Sequence, residues 1–219
     1  MKTVFFASVL VFGTLAQGSE WQTKNFVIQS VDANQGVYLE KNIEKIKTWI
    51  LTRWGLEDFD FPTKRVISLD GIAGKPTEVI PALLTPICLE EYGKKYKHVP
   101  YWAVRGMTVL NGSYPQIKTK IKSFQIWLTI DKPIYTSKSL LQVGSPENQE
   151  LFDVQSSIMV LLLFKEYKPE FHEFLFTRNL TLLGFSSHDE MNLSFVNYSK
   201  RLGVDLAFDK TPDSYLQIK

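Results

Sequence analysis

Three histidines, a single cysteine and one adjacent pair of glutamates are the residues of this 219-residue chain whose types invite a search for chemistry. His98, His172 and His188 never pair at i, i+4 spacing, whereas a zinc site built from neutral imidazoles needs two or three that converge. They read as surface or loop positions. Cys88 sits among Leu84, Ile87 and Leu89 and reads as a small buried hydrophobe. A catalytic thiol needs a nearby His and an electropositive setting, and neither is visible around it. Glu90 and Glu91 are neighbours, so on a helix they point about 100° apart and form no working carboxyl pair. No GxSxG elbow and no phosphate-binding loop occur. Asn111, Asn179, Asn192 and Asn197 each open an Asn-x-Ser/Thr triplet, which matters only in a source that glycosylates exported chains. A direct motif search therefore yields no catalytic constellation.

The chain's beginning is more explicit. Lys2 supplies a short positive region, Val4 to Leu15 an apolar stretch, and Ala16, Gly18 and Ser19 small residues. This is the layout of a cleavable secretory signal peptide over residues 1–18, with cleavage after Ala16 or Gly18. The apolar run is shorter than the roughly 20 residues a membrane-crossing helix needs, and no Cys lies near the junction to carry a lipid. The expected product is a secreted or periplasmic domain, residues 19–219, with no stable membrane anchor. A net charge of +2 gives no basic excess to neutralise phosphates, so nucleic acid is not an expected partner. Lys94, Lys95 and Lys97 read as a solvated helix end. One cysteine cannot form an internal disulfide, so stability must come from the core. With 44% hydrophobic residues, that core can be sizeable.

Elements follow from periodicity. Residues 25–30 read as a strand. Leu39, Ile43, Ile46, Ile50 and Trp54 then mark one face of a helix over 32–54, stopped by Gly55. Residues 65–69 form a second strand, and 71–75 a loop. Residues 78–92 predict a helix with Ile80, Leu83, Leu84, Ile87 and Cys88 on one side. Pro86 inside it removes a hydrogen bond, so a shorter helix starting near Pro86 is the alternative. Pro100 opens another helix that stops at Asn111-Gly112. Residues 116–130 fit either a helix (Ile117, Ile121, Phe124, Leu128) or a strand (Ile126, Leu128, Ile130). The run Ile158 to Phe164 is apolar on all sides and predicts a core helix over 150–167. A further helix restarts at Pro169, and Ser187 to Glu190 is a capping-box pattern opening a last one to about Leu202, with Gly203 after it. The tail from Asp209 reads as irregular. The expected fold class is α+β, a small N-terminal strand region followed by a predominantly helical domain.

One segment has a family likeness. Residues 83–106 read LLTPICLEEYGKKYKHVPYWAVRG and resemble the central segment of the gluzincin metallopeptidases, in particular compact peptidase-MA-like domains. In that family an apolar helix bears HExxH, and a proline and a tryptophan lead to a Glu-Gly pair on the next helix. The two His and that Glu hold zinc, and the Glu within HExxH is the general base for the zinc-bound water. By this likeness Thr85 stands at the first His, Pro86 at the catalytic Glu, Leu89 at the second His and Arg105 at the third ligand before Gly106. Pro100 and Trp102 match the family's proline and tryptophan. Residues 25–69 resemble its lead-in, Phe152 to Leu163 its later helix behind the active site, and residues 184–198 its closing helix. The resemblance implies a zincin-like fold whose ligands and base are all replaced. Arg105 would put positive charge at the former metal position, which opposes a cation.

The implied function is an exported, catalytically inactive metallopeptidase-like domain without a cofactor. Its old groove, flanked by Tyr101, Trp102 and Arg105, would bind a peptide or a protein. Two alternatives stand beside it. One is an active hydrolase using a non-zinc site built from Glu90, Glu91, His98 and Arg105. The other is an envelope structural protein unrelated to peptidases, in which case the surface around Trp102 should be closed.

Overall fold

The computed structural model describes residues 19–70 and 76–202. The leader over residues 1–18, the 71–75 loop, the Gly203 stop and the tail from Asp209 lie outside the described residues.

Strand β1 (Ser19–Gln22) pairs antiparallel with β2 (Phe26–Ser30), and β2 pairs parallel with β3 (Arg65–Ser68), giving the order β1-β2-β3. Parallel neighbours need a crossover, and helix α1 (Ala33–Arg53) supplies it. Alternation decides the faces: Phe26 and Ile28 of β2 and Ile67 of β3 are buried, while Gln29 and Val66 are exposed. Asp32 caps α1, its carboxylate accepting from the Asn34 and Gln35 amides. Gly55, at φ 73°, takes the left-handed turn after the cap. The expected helical face Leu39, Ile43, Ile46, Ile50, Trp54 is buried without exception.

Beyond the sheet the chain is helical: α2 (Pro76–Lys95), α3 (Tyr101–Leu110), α4 (Tyr114–Thr129), α5 (Ser137–Gln142), α6 (Gln149–Glu166), α7 (Lys168–Thr177), a 3₁₀ turn (Leu180–Leu183) and α8 (His188–Arg201). The protein is thus α+β and mainly helical, with its strands at the N-terminal end of the described chain. The organising element is α6. Residues 151–163 are all buried, Asp153, Gln155, Ser156 and Ser157 among them, because α3, α4, α5, α7 and α8 pack around it.

Two expectations are refined, and two elements that the sequence did not announce are added. Helix α2 runs unbroken from Pro76 to Lys95 through Pro81 and Pro86, longer than the 78–92 span and not restarted at Pro86. Pro86 cannot donate to the Ala82 carbonyl, at about 3 kcal/mol in an exposed helix. Burial of Ile80, Leu84, Thr85, Cys88 and Leu89 on one face offsets that cost. Residues 114–129 are helical: Ile117, Ile121 and Phe124 are buried, whereas Ile126 and Ile130 are exposed, so the 3.6 period outweighs the alternation. Strand β1 and helix α5 carry no strong local period. The first exists by pairing with β2, and the second is capped by Thr136 and docked on α8.

A polar latch closes the sheet end of the domain. Lys47, nearly buried, donates to Asp58 and to the Phe59 carbonyl (2.6 Å), and its ammonium lies 5.5 Å from the Phe61 ring centre. This ties the 56–61 segment to α1. Burial pulls the Asp58 carboxyl upward, and hydrogen bonds from Lys47 and Thr48 outweigh it, so it stays below its ordinary value. A carboxyl depressed in the folded state stabilises above its unfolded pKa, about 3.9, and that contribution is lost as pH falls through the folded value. The melting-temperature gap between wild type and Asp58→Asn should therefore narrow from pH 6 to about pH 3. A gap that stays constant would show that the charge on Asp58 does not matter.

Candidate functional site

The segment that carries the family likeness occupies α2 and α3, and α6 backs it. Thr85 is fully buried on α2. Its hydroxyl donates to the Pro81 carbonyl (2.6 Å) and accepts from Asn111 Nδ2 (2.8 Å), the residue that ends α3. Leu89, one turn on, is core at 1% exposure. Pro86 is half-buried between them.

Arg105 faces elsewhere. Six residues separate it from Asn111, which sets them about 120° apart around α3. Its guanidinium forks onto Asp153 of α6, Nε to Oδ1 at 2.8 Å and Nη2 to Oδ2 at 2.6 Å, the two-bond geometry that a planar guanidinium and a carboxylate favour. Asp153 Oδ1 also accepts from Gln149 Nε2 (2.6 Å), and Gln149 Oε1 accepts from the Tyr101 hydroxyl (3.3 Å). The Asp153 side chain is 9% exposed and that of Arg105 32%. The hydrogen bonds to Asp153 raise the guanidinium pKa still further, so it is charged throughout. The pair rides on a close helix crossing at Gly106, where an added Cβ would lie 2.5 Å from the Ser156 carbonyl oxygen of α6.

Thr85 and Arg105, which the likeness sets around one metal position, are thus committed to different partners on different sides of α3. Trp102 is buried at 1% exposure. It belongs to the core, and of the two aromatic residues expected in the groove the half-buried Tyr101, stacked on Phe152 with ring centres 5.6 Å apart, is the one that reaches the edge. Among the described residues no group of three His, Cys, Asp or Glu side chains is placed to hold a metal ion.

The four residues of the alternative hydrolase site are not drawn together either. Glu91, buried, and Glu90, half-exposed, both bind Arg65 of β3 and Lys94, while Arg105 is held by Asp153 and His98 is exposed. Glu90 stays below its ordinary pKa through Lys94 first and then Arg65, the behaviour of an ion-paired carboxylate rather than a proton donor. Cys88 is buried, and burial pushes its thiol pKa far up, which keeps it an unreactive thiol. His172 is exposed on α7 and His188, half-buried, opens α8.

Sequence reasoning missed Asp153 and Asn111 as partners. A signal for the first was present: one carboxylate in an otherwise apolar stretch of α6 demands a buried cation or donors. It also missed a surface cleft of about 370 Å³ lined by Tyr92, Tyr96 and Lys97 at the end of α2 and by His172, Glu173, Phe176 and Thr177 at the end of α7. Nothing local could reveal it, because its two walls lie about 80 residues apart along the chain. Compared with protein-family models, curated proteins and solved structures, the chain finds no match.

Proposed function

We propose that this chain is an exported, peptidase-like domain that works by binding a peptide or protein rather than by cutting one. The observation that supports this most is the Arg105–Asp153 fork. At the position where the resemblance puts the third zinc ligand, a cation is held by two charge-assisted bonds to a nearly buried carboxylate. A divalent ion placed there would meet a fixed positive charge. Thr85, bonded to Pro81 and Asn111 on another side of α3, and the core residue Leu89 have packing roles and offer a metal no ligand. The half-exposed edge formed by Tyr101, Gln149 and Arg105 is what a peptide would meet. A purely structural role in the envelope is the second reading, favoured by the burial of Trp102.

The test is elemental analysis of the purified chain together with cleavage of a fluorogenic peptide library, with and without a chelator. Substoichiometric zinc and no chelator-sensitive cleavage are expected. One zinc per chain with cleavage that a chelator abolishes would overturn the proposal.

A further inference from the structure

Helix α4 turns toward solvent a face that neither the family likeness nor the hydrolase alternative uses. Ile117, Ile121 and Phe124 are buried in the core. Lys118, Lys122, Ile126 and Ile130 stand four residues apart and form one row along the helix and its cap. Ile126 is 59% exposed and Ile130 56%, so the row ends in apolar surface that water disfavours. Beside it, Lys122, Gln125, Ile126 and Thr129 line a shallow groove of about 320 Å³.

Charge narrows the class of occupant. Helix α4 carries Lys118, Lys120 and Lys122 and no carboxylate. No salt bridge among the described residues engages Lys118 or Lys122. The complement of this face is an apolar segment that also bears carboxylates.

Such a segment begins at the groove itself. The Gln125 amide donates to the Ser199 carbonyl (3.0 Å) and to the Leu202 carbonyl (2.8 Å), at the end of α8 where helical partners run out. A residue of the groove wall thus fixes the point from which the chain continues. Residues 203–209 read GVDLAFD. Val204, Leu206, Ala207 and Phe208 are apolar, Asp205 and Asp209 are acidic, and no cation is among them. Reach is sufficient. Six extended residues cover about 20 Å, whereas Ile130 lies five residues from Gln125 along the helix, about 7.5 Å, and Lys118 seven, about 10.5 Å. Tethering favours this occupant over a free one, because an intramolecular partner competes at an effective concentration of about millimolar.

We propose that residues 204–208 of this chain dock on α4. Leu206 and Phe208 pack against Ile126 and Ile130, and the Asp205 and Asp209 carboxylates come within reach of Lys118 and Lys122. This surface is separate from the Tyr101–Arg105 edge and does not depend on the peptidase-like reading.

The test is NMR on the full, isotope-labelled chain. Nuclear Overhauser contacts are expected between Leu206 or Phe208 protons and the Ile126 or Ile130 methyls. Chymotrypsin should also cut after Phe208 about tenfold faster in Ile126→Asp, because cleavage follows the population of the open form. The paired change Lys118→Glu with Lys122→Glu should release the segment as well. None of the three positions is buried, so unchanged thermal melts would show that the fold is intact. Absence of any contact between residues 204–208 and α4, or a cutting rate that neither variant changes, would overturn the proposal. So would Ile126 and Ile130 signals that shift only with protein concentration, the mark of a second copy on this face. Shifts seen only with phosphatidylglycerol vesicles, the mark of a membrane surface, would do the same. None of these outcomes bears on zinc content or on peptide cleavage by this chain.

Discussion

Gly106→Ala should cost this protein a large part of its stability. The new Cβ would lie 2.5 Å from the Ser156 carbonyl oxygen and 2.7 Å from Val160 Cγ2. The first of these is backbone of α6, which cannot swing aside as a side chain can. The two helices must separate along their most extensive contact, where Trp102, Ala103 and Met107 of α3 and residues 151–163 of α6 are buried. Overpacking a tight core costs about 1–3 kcal/mol and sometimes more. A clash with backbone belongs at the upper end. The helix preference of Ala over Gly returns only about 1 kcal/mol. A net loss near 2 kcal/mol, out of a total of about 5–15, is expected as a lowered urea midpoint. Gly144→Ala is the control, because a Cβ there meets nothing within 4 Å. If the Gly106→Ala midpoint matched that of the control, the crossing would be looser than described.

The second large effect is an asymmetry across the Arg105–Asp153 pair. Arg105→Ala strands a carboxylate that is 9% exposed, with Gln149 as its remaining donor. Breaking a buried pair from one side costs about 3–5 kcal/mol. The Arg105 side chain is a third exposed, so water can reach Asp153 once it is removed, and about 2–3 kcal/mol is a better expectation after that discount. Asp153→Ala instead leaves a guanidinium that can turn to solvent, at about 1 kcal/mol. Replacing both, as Arg105→Met with Asp153→Leu, should recover most of the loss, since apolar substitutes for an ion pair are often neutral or better. Chemical melts of the three variants measure this directly. Losses below about 1 kcal/mol in both single variants would mean that the pair is solvated on both sides and contributes little.

Both predictions act at the Arg105-Gly106 step, and this is where sequence and structure divide most clearly. A pattern of residue types shows that Arg105 stands where the resemblance puts a ligand, yet it cannot show which residue an arginine will pair with. Asp153 is 48 positions away, and only the approach of α3 to α6 brings it within reach. The same distance problem hides Asn111 from Thr85, 26 residues apart. It also hides the cleft, whose walls join the end of α2 to the end of α7. A lysine buried in the middle of α1 is equally unpredictable from its own neighbourhood, because its partners Asp58 and Phe59 come from the segment after the helix.

Local physics did settle a good deal. The face of α1, the stop at Gly55, the end of α3 at Asn111 and the core position of α6 follow from residue spacing and backbone preference, which act within one or two turns. The Ser187–Glu190 cap is a local reading too. Ser187 Oγ accepts from the Glu190 amide, while Glu190 bonds back to Ser186, one residue earlier than a capping box requires.

By itself, then, the sequence determined an α+β chain with early strands, a dominant apolar helix and one unreactive thiol. These properties depend on spacing and composition, which every residue carries with it. Tertiary structure alone decided between an unbroken α2 and one restarted at Pro86, and decided that residues 114–129 are helical, that Trp102 belongs to the core, and that Arg105 belongs to Asp153. Each of these turns on burial against elements distant in the chain, and burial sets the free energy of a polar or apolar group only once its neighbours are in place.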